Sequence, residues 1–551
     1  MRGGGAVAAL LLLQVRGAAS FVLPTRIVAG VSSCLHLPAI ASASVSARRA
    51  HALGVSAMSC SATYEELCSK LRKISRLEGC MGLMGWDEQT MMPTGAEQAR
   101  AHQKAALAGV VHDAKVDPAI GELLSSLSGE AISGLSPAEN ANIREARKSF
   151  ERNGRISTEL ASKMAQLESE GYGAWVRARE ANDFEAFKPV LSDIIDLRKQ
   201  ILAKTKPEMD LYDAAVDDFD PNMQAARLAE IFDAVKKDLT PLIKKITSKS
   251  GENPALLEVK PALRGGPDWD PAKQAALCEE IAKEIGFDFD RGRMDVSVHP
   301  FTGGSHPSDV RITTRYSADN WIEGIAGTIH ECGHAMYEQG RSSTHADLPV
   351  SEALGMATHE SQSLLWERMV GQSRAFWVWA TPIVHKYFPH TAECTAEDFY
   401  RAVNIVRPSL IRVDADEVTY PLHVMVRFEL ERGIFDGSVA LESLPKAWDD
   451  KMETYLGVRP PSNKEGVLQD VHWSGGAFGY FPSYSLGAMI ATQLFAKAKT
   501  DIPELEAKIA AGQFKELKQW LNTHIHESGC THPSADALLE AVCAARRLLP
   551  L

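Results

Sequence analysis

The sequence has no Cys-x-x-Cys pair. Its nine cysteines (34, 60, 68, 80, 278, 332, 394, 530 and 543) are scattered and odd in number, which excludes a disulfide framework and suits a reducing or neutral compartment. Basic excess is also missing. With 59 Lys and Arg against 71 Asp and Glu the formal charge is −12, and so acidic a chain excludes nucleic acid as a partner, because phosphate demands a basic surface. The apolar run Ala6 to Leu13 is far short of the roughly 20 residues that a membrane-spanning helix needs, so no membrane partner is expected. Acid is absent from the first 61 residues, which hold five Arg and no Asp or Glu; subtracting those five charges from −12 leaves −17 on the remaining 490 residues.

The acid-free segment has the layout of a targeting leader. An apolar run after Arg2 ends at the small residues Gly17, Ala18 and Ala19, as in a signal peptide, and Phe21 to about Ser61 is rich in Ala, Ser and Arg, as in a transit peptide. Residues 1–61 therefore read as a disordered, cleavable presequence. Its junction Ala19-Ser20-Phe21-Val22 resembles plastid-import leaders of secondary endosymbiotic algae; mitochondrial, secretory or cytoplasmic destinations are the alternatives.

What remains, residues 62–551, is 490 residues of ordinary enzyme composition: 45% hydrophobic and 24% charged over the whole chain. From Thr63 apolar residues recur every three to four positions, as at Tyr64, Leu67, Cys68, Leu71 and Ile74, which predicts a mostly α body. Residues 294–317 depart from that pattern. β-branched residues near-alternate on both sides of Gly303-Gly304, predicting a small antiparallel hairpin turned at the two glycines, with an edge strand to which a peptide could add.

Directly after the hairpin stands His330-Glu331-Cys332-Gly333-His334. On a helix two histidines four apart lie one turn above each other and can meet one zinc, while the intervening glutamate faces the water that attacks. Cys332 points about 200° around such a helix from His330 and reads as a core thiol. A catalytic zinc needs a third protein ligand beside an open position, and Glu352, Glu360 and Glu367 all lie at permissible distances along the chain.

Five motifs in order decide what the chain resembles: Asp309-Val-Arg311-Ile-Thr313, His330-Glu331-Cys-Gly-His334, His359-Glu360-Ser361-Gln362, Ile411-Arg412-Val-Asp-Ala415-Asp416, and Gly466-Val-Leu-Gln469-Asp470-Val-His472-Trp473. Trp86-Asp87-Glu88-Gln89-Thr90 looks like an opening signature of the same kind. Over about residues 62–551 the chain resembles the carboxypeptidase Taq family of zinc metallocarboxypeptidases. The resemblance implies two helical lobes around a deep groove, an architecture similar to neurolysin and angiotensin-converting enzyme. It also implies one Zn2+ per chain, replaceable by Co2+, a homodimer, and Glu360 as the third ligand. The flanking residues agree: Glu352, close behind Pro349, reads as a first-turn glutamate favoured by the helix dipole, whereas Glu360 stands with Ala357, Leu364 and Leu365 on a buried face.

The expected activity is hydrolytic release of single C-terminal residues from peptides with broad specificity, with Glu331 as general base and proton donor. An oligopeptidase or dipeptidyl carboxypeptidase of the same fold is the alternative. Arg412 is expected to bind the terminal carboxylate, with Tyr420 or His423 as oxyanion donor. Asp309 and Arg311 read as an ion pair that positions the cleft wall or the substrate, and Asp470 with His472 as a carboxylate–histidine pair. His299, His306 and His345 lie close in sequence to the motif.

Overall fold

The computed structural model describes residues 52–297 and 300–543. The first helix, α1 (Ala52–Thr90), buries Tyr64, Leu67, Cys68, Leu71 and Ile74 against Ile120, Leu124 and Ile143 of the helices that follow. The expected presequence lies outside the described residues up to position 51. Residues 52–61 form the first turns of α1, with the Cys60 thiol 2.9 Å from the Ala131 carbonyl oxygen. Helix starts are legible in the sequence: Asp117, Ser136 and Asp270 each cap a helix whose first residue is proline, the one place where the missing N–H costs nothing.

The fold is mostly α, with one small sheet among the described residues. That sheet corrects the expected hairpin. It has three strands, β1 (Gly292–Val296), β2 (Phe301–His306) and β3 (Asp309–Thr314), in the order β1-β3-β2; β1 runs parallel to β3, and β2 antiparallel. The chain turns at Pro307-Ser308, and Gly303 and Gly304 lie inside β2. Close approach explains a glycine in β2 and another in α1. A Cβ at Gly304, where φ is +142°, would fall 2.2 Å from the Asp309 carbonyl, and one at Gly82 of α1 would fall 2.4 Å from the Gly304 carbonyl. Gly82 thus lets α1 lie directly on the edge strand, and Gly304 lets β2 approach β3.

Helix α2 (Trp321–Gly340) packs on the sheet, α3 (Gly355–Leu364) packs between α2 and α5 (Pro482–Asp501), and α4 (Tyr420–Asp436) packs on α5. A π-helical turn, Leu365–Gly371, continues α3. Among the described residues no helix is long and apolar enough to cross a membrane.

Candidate metal centre

Helix α2 presents His330 and His334 one turn apart, their rings 5.0 Å between centroids. What brings α3 within reach is again glycine. A Cβ at Gly333 would lie 2.5 Å from the Gln362 carbonyl oxygen, so α2 and α3 touch backbone to backbone at the motif. From the other side Gly487 of α5 admits Glu360, whose Cβ and Cγ would each be 2.8 Å from an added methyl. The start of α3 is held by buried Asp220, which accepts from the Ala357 amide at 2.7 Å and from Ser483 Oγ at 2.6 Å. The result is that ligand atoms of His330, His334 and Glu360 all lie within 4.8 Å of one another.

The outer contacts fix which ring nitrogens are open. Glu367 Oε2 lies 2.7 Å from His330 Nδ1, and a carboxylate can only accept, so in the neutral ring Nε2 carries the lone pair. A longer chain serves His334. Glu338 accepts from His359 Nε2 at 2.9 Å, His359 Nδ1 is therefore the acceptor of the 2.6 Å contact with His334 Nδ1, and His334 Nε2 is left open, 3.4 Å from Glu360 Oε2. Two open imidazole nitrogens and one buried carboxylate are the donor chemistry of a His2Glu zinc site. The electrostatics agree. Burial opposes charge on His330, yet Glu360 and Glu367 outweigh it and hold the ring up at about 9, so a cation is wanted there; burial pushes His334 down to about 4.

Glu331 is 3% exposed, and its Oε2 accepts from Thr302 Oγ1 of β2 at 2.6 Å. Burial raises its carboxyl to about 7, against the opposing pull of His330 and Thr302. Cys332 is fully buried, a core thiol. Glu352 lies apart from the cluster. It follows the short helical turn Pro349–Ser351, before α3 begins rather than in its first turn, and its charge is felt by Arg341.

The sequence pattern of the carboxypeptidase Taq (M32) metallopeptidase family matches residues 66–547. The chain belongs to this family. It is 40% identical to thermostable carboxypeptidase 1 of Thermus thermophilus over 85% of this chain and 92% of that protein, and 36% identical to carboxypeptidase 1 of Bacillus subtilis over 87% and 94%. The solved M32 carboxypeptidase from Deinococcus radiodurans superposes with a TM-score of 0.83 at 36% identity, over 88% of this chain and 96% of that one. The chain is therefore a metallocarboxypeptidase, a peptide hydrolase, and the family identified from the five motifs is the right one.

In this M32 chain the other residues singled out in the sequence divide into groups. Arg412 is 5% exposed; it donates from Nε to Asp470 Oδ1 at 3.0 Å and from Nη1 to the Tyr420 hydroxyl at 2.9 Å. Tyr420 lies close enough to Glu360 to feel its charge. His423 is fully buried, and burial followed by the Arg427 and Arg412 charges keeps it neutral. Both Asp470 oxygens accept from arginines, Arg412 and Arg427, and the nearby His472 adds to the pull that holds this carboxyl down; His472 also lies 3.4 Å from the Tyr484 hydroxyl and packs on Phe481. Asp309 and Arg311 do pair, at 2.7 and 3.0 Å, with Arg311 and Arg293 over the ring of Trp86 on α1. They join α1 to the sheet. His306 lies 3.7 Å from Asp347, His345 is in the loop after α2, and His299 falls outside the described residues.

Sequence reasoning missed His359, Glu338 and Thr302. His359 adjoins Glu360 in a quoted motif, and Glu338 follows His334 by one helical turn, so both carried a usable signal; nothing in the sequence joins Thr302 to Glu331.

Proposed function

We propose that the chain is a zinc carboxypeptidase that removes single residues from the C-terminus of peptides with broad tolerance, its ion held by His330, His334 and Glu360. The convergence of those three donor atoms within 4.8 Å, beside buried Glu331, carries the reading. When bound, zinc supplies Lewis acidity, lowering the pKa of a nearby water to ~7 and polarising the scissile carbonyl. Glu331 takes the water's proton and gives it to the leaving amine, a carboxyl near 7 being matched to both tasks. Thr302 steadies its ionised form. The Tyr420 hydroxyl accepts from Arg412, so its own proton is free for the oxyanion, which favours Tyr420 over buried His423 as donor. Arg412 keeps Nη2 for the substrate's terminal carboxylate, and His472 supports Tyr484 in the same aromatic wall.

Digestion of a defined peptide followed by mass spectrometry tests the activity: a ladder of single-residue losses is expected, whereas internal cuts or dipeptide release would mean an oligopeptidase or dipeptidyl carboxypeptidase. Metal analysis should give one zinc per chain. The resemblance also supports a homodimer, testable by light scattering. The acid-free leader supports import into an organelle, a plastid by preference, with cleavage near residue 61; N-terminal sequencing of native protein starting at Met1 would exclude it.

A further inference from the structure

The walls of the metal centre hold two arginines near one tyrosine ring, and they differ in what they are doing. Arg412 Cζ lies 5.9 Å from the Tyr420 centroid, with Nε and Nη1 committed to Asp470 and to the Tyr420 hydroxyl. Arg368 Cζ lies 5.2 Å from the same centroid, half-buried on the π-helical turn Leu365–Gly371. Among the described residues Arg368 makes no hydrogen bond or ion pair. Its charge acts only through space, on Glu360, Glu367, Glu417 and Tyr420. An i→i+5 turn takes up one residue more than an α turn, which carries Arg368 toward the face of Glu360 while its neighbour Glu367 reaches His330.

A half-buried guanidinium with all five donors uncommitted, beside the metal ligands, is arranged for an anion that arrives with the substrate. The anion this reaction presents there is the C-terminal carboxylate, one residue from the scissile bond, and a planar fork meets it with two parallel hydrogen bonds. We propose that Arg368 is a specificity-determining residue that binds the terminal carboxylate bidentately, alongside the single nitrogen that Arg412 has to spare. This rests on the carboxypeptidase reading above.

The test compares kcat/KM for one peptide with a free C-terminus and for its C-terminal amide, in zinc-loaded wild type and Arg368→Gln, with metal content measured in each. The free peptide should lose roughly 10- to 100-fold in the variant, mostly through KM, while the amide is unchanged. An equal loss on both substrates would mean that Arg368 only balances Glu360 and Glu367, and no loss on either would remove it from the site; both results overturn the proposal. If Arg368→Gln binds no metal, Arg368→Lys keeps the charge and removes the fork, and the same ratio is read from it. A zinc-loaded wild type that cuts neither peptide would strike at the parent reading instead.

Discussion

Glu367 Oε2 lies 2.7 Å from His330 Nδ1, so the glutamate that stood among three rival ligands in the sequence sits behind a histidine proposed as a ligand. Its carboxylate fixes the ring's tautomer and raises its basicity. Glu367→Gln should lower zinc affinity roughly 10- to 100-fold, measured by competition with a chelator, and leave the peptide bond cut unchanged.

Glu331→Gln should abolish turnover while zinc stays near one per chain, because the base is lost and the three donors are kept. Full activity would end the proposed mechanism. Zinc loss would put Glu331 among the ligands.

Glu360→Ala should lose most of its zinc and all activity, and Glu352→Ala should keep its zinc. Glu352 follows the turn Pro349–Ser351 before α3 begins, outside the three-residue cluster and in the field of Arg341. The reverse outcome would move the ligand role.

Thr302→Val removes a 2.6 Å donor from Glu331 Oε2. That hydrogen bond favours the ionised carboxyl, so its loss raises the pKa, and the acid limb of kcat/KM should move to higher pH by about one unit. A profile that stays in place, or moves to lower pH, would show that Thr302 does not set the base's pKa.

Asp470→Asn would strand Arg412 and Arg427, and removing one partner of a buried pair costs about 3–5 kcal/mol. Burial would raise Asp470, but the two arginines hold it well below the usual carboxylate range. Its contribution is therefore present above its unfolded pKa and is lost as pH falls through its lower folded value. The stability gap between wild type and variant should be full at pH 7 and narrow below about pH 4, read by denaturant unfolding across pH.

The sequence by itself determined what is local. The helical period of Tyr64, Leu67 and Leu71, the caps before Pro118, Pro137 and Pro271, and the four-residue spacing of His330 and His334 all follow from one turn of helix, and five ordered motifs carried the family. Tertiary structure decided whatever needed two segments to meet. The Gly303-Gly304 pair looked like a turn because a turn is the local reason for glycine, yet Gly304 lies inside β2, where φ is +142° and a Cβ would fall 2.2 Å from the Asp309 carbonyl of the neighbouring strand. Asp470 and His472 are neighbours in sequence, but only the fold shows that Arg412 and Arg427, from two other segments, hydrogen-bond the same carboxylate. That Glu360, and not Glu352, meets both histidines depends on Gly333 and Gly487 admitting one helix between two others, and Arg368 stands out because among the described residues only the face of Tyr420 lies against it. Spacing along a chain fixes direction within one element; burial, pairing and the lack of a partner are properties of what packs around it.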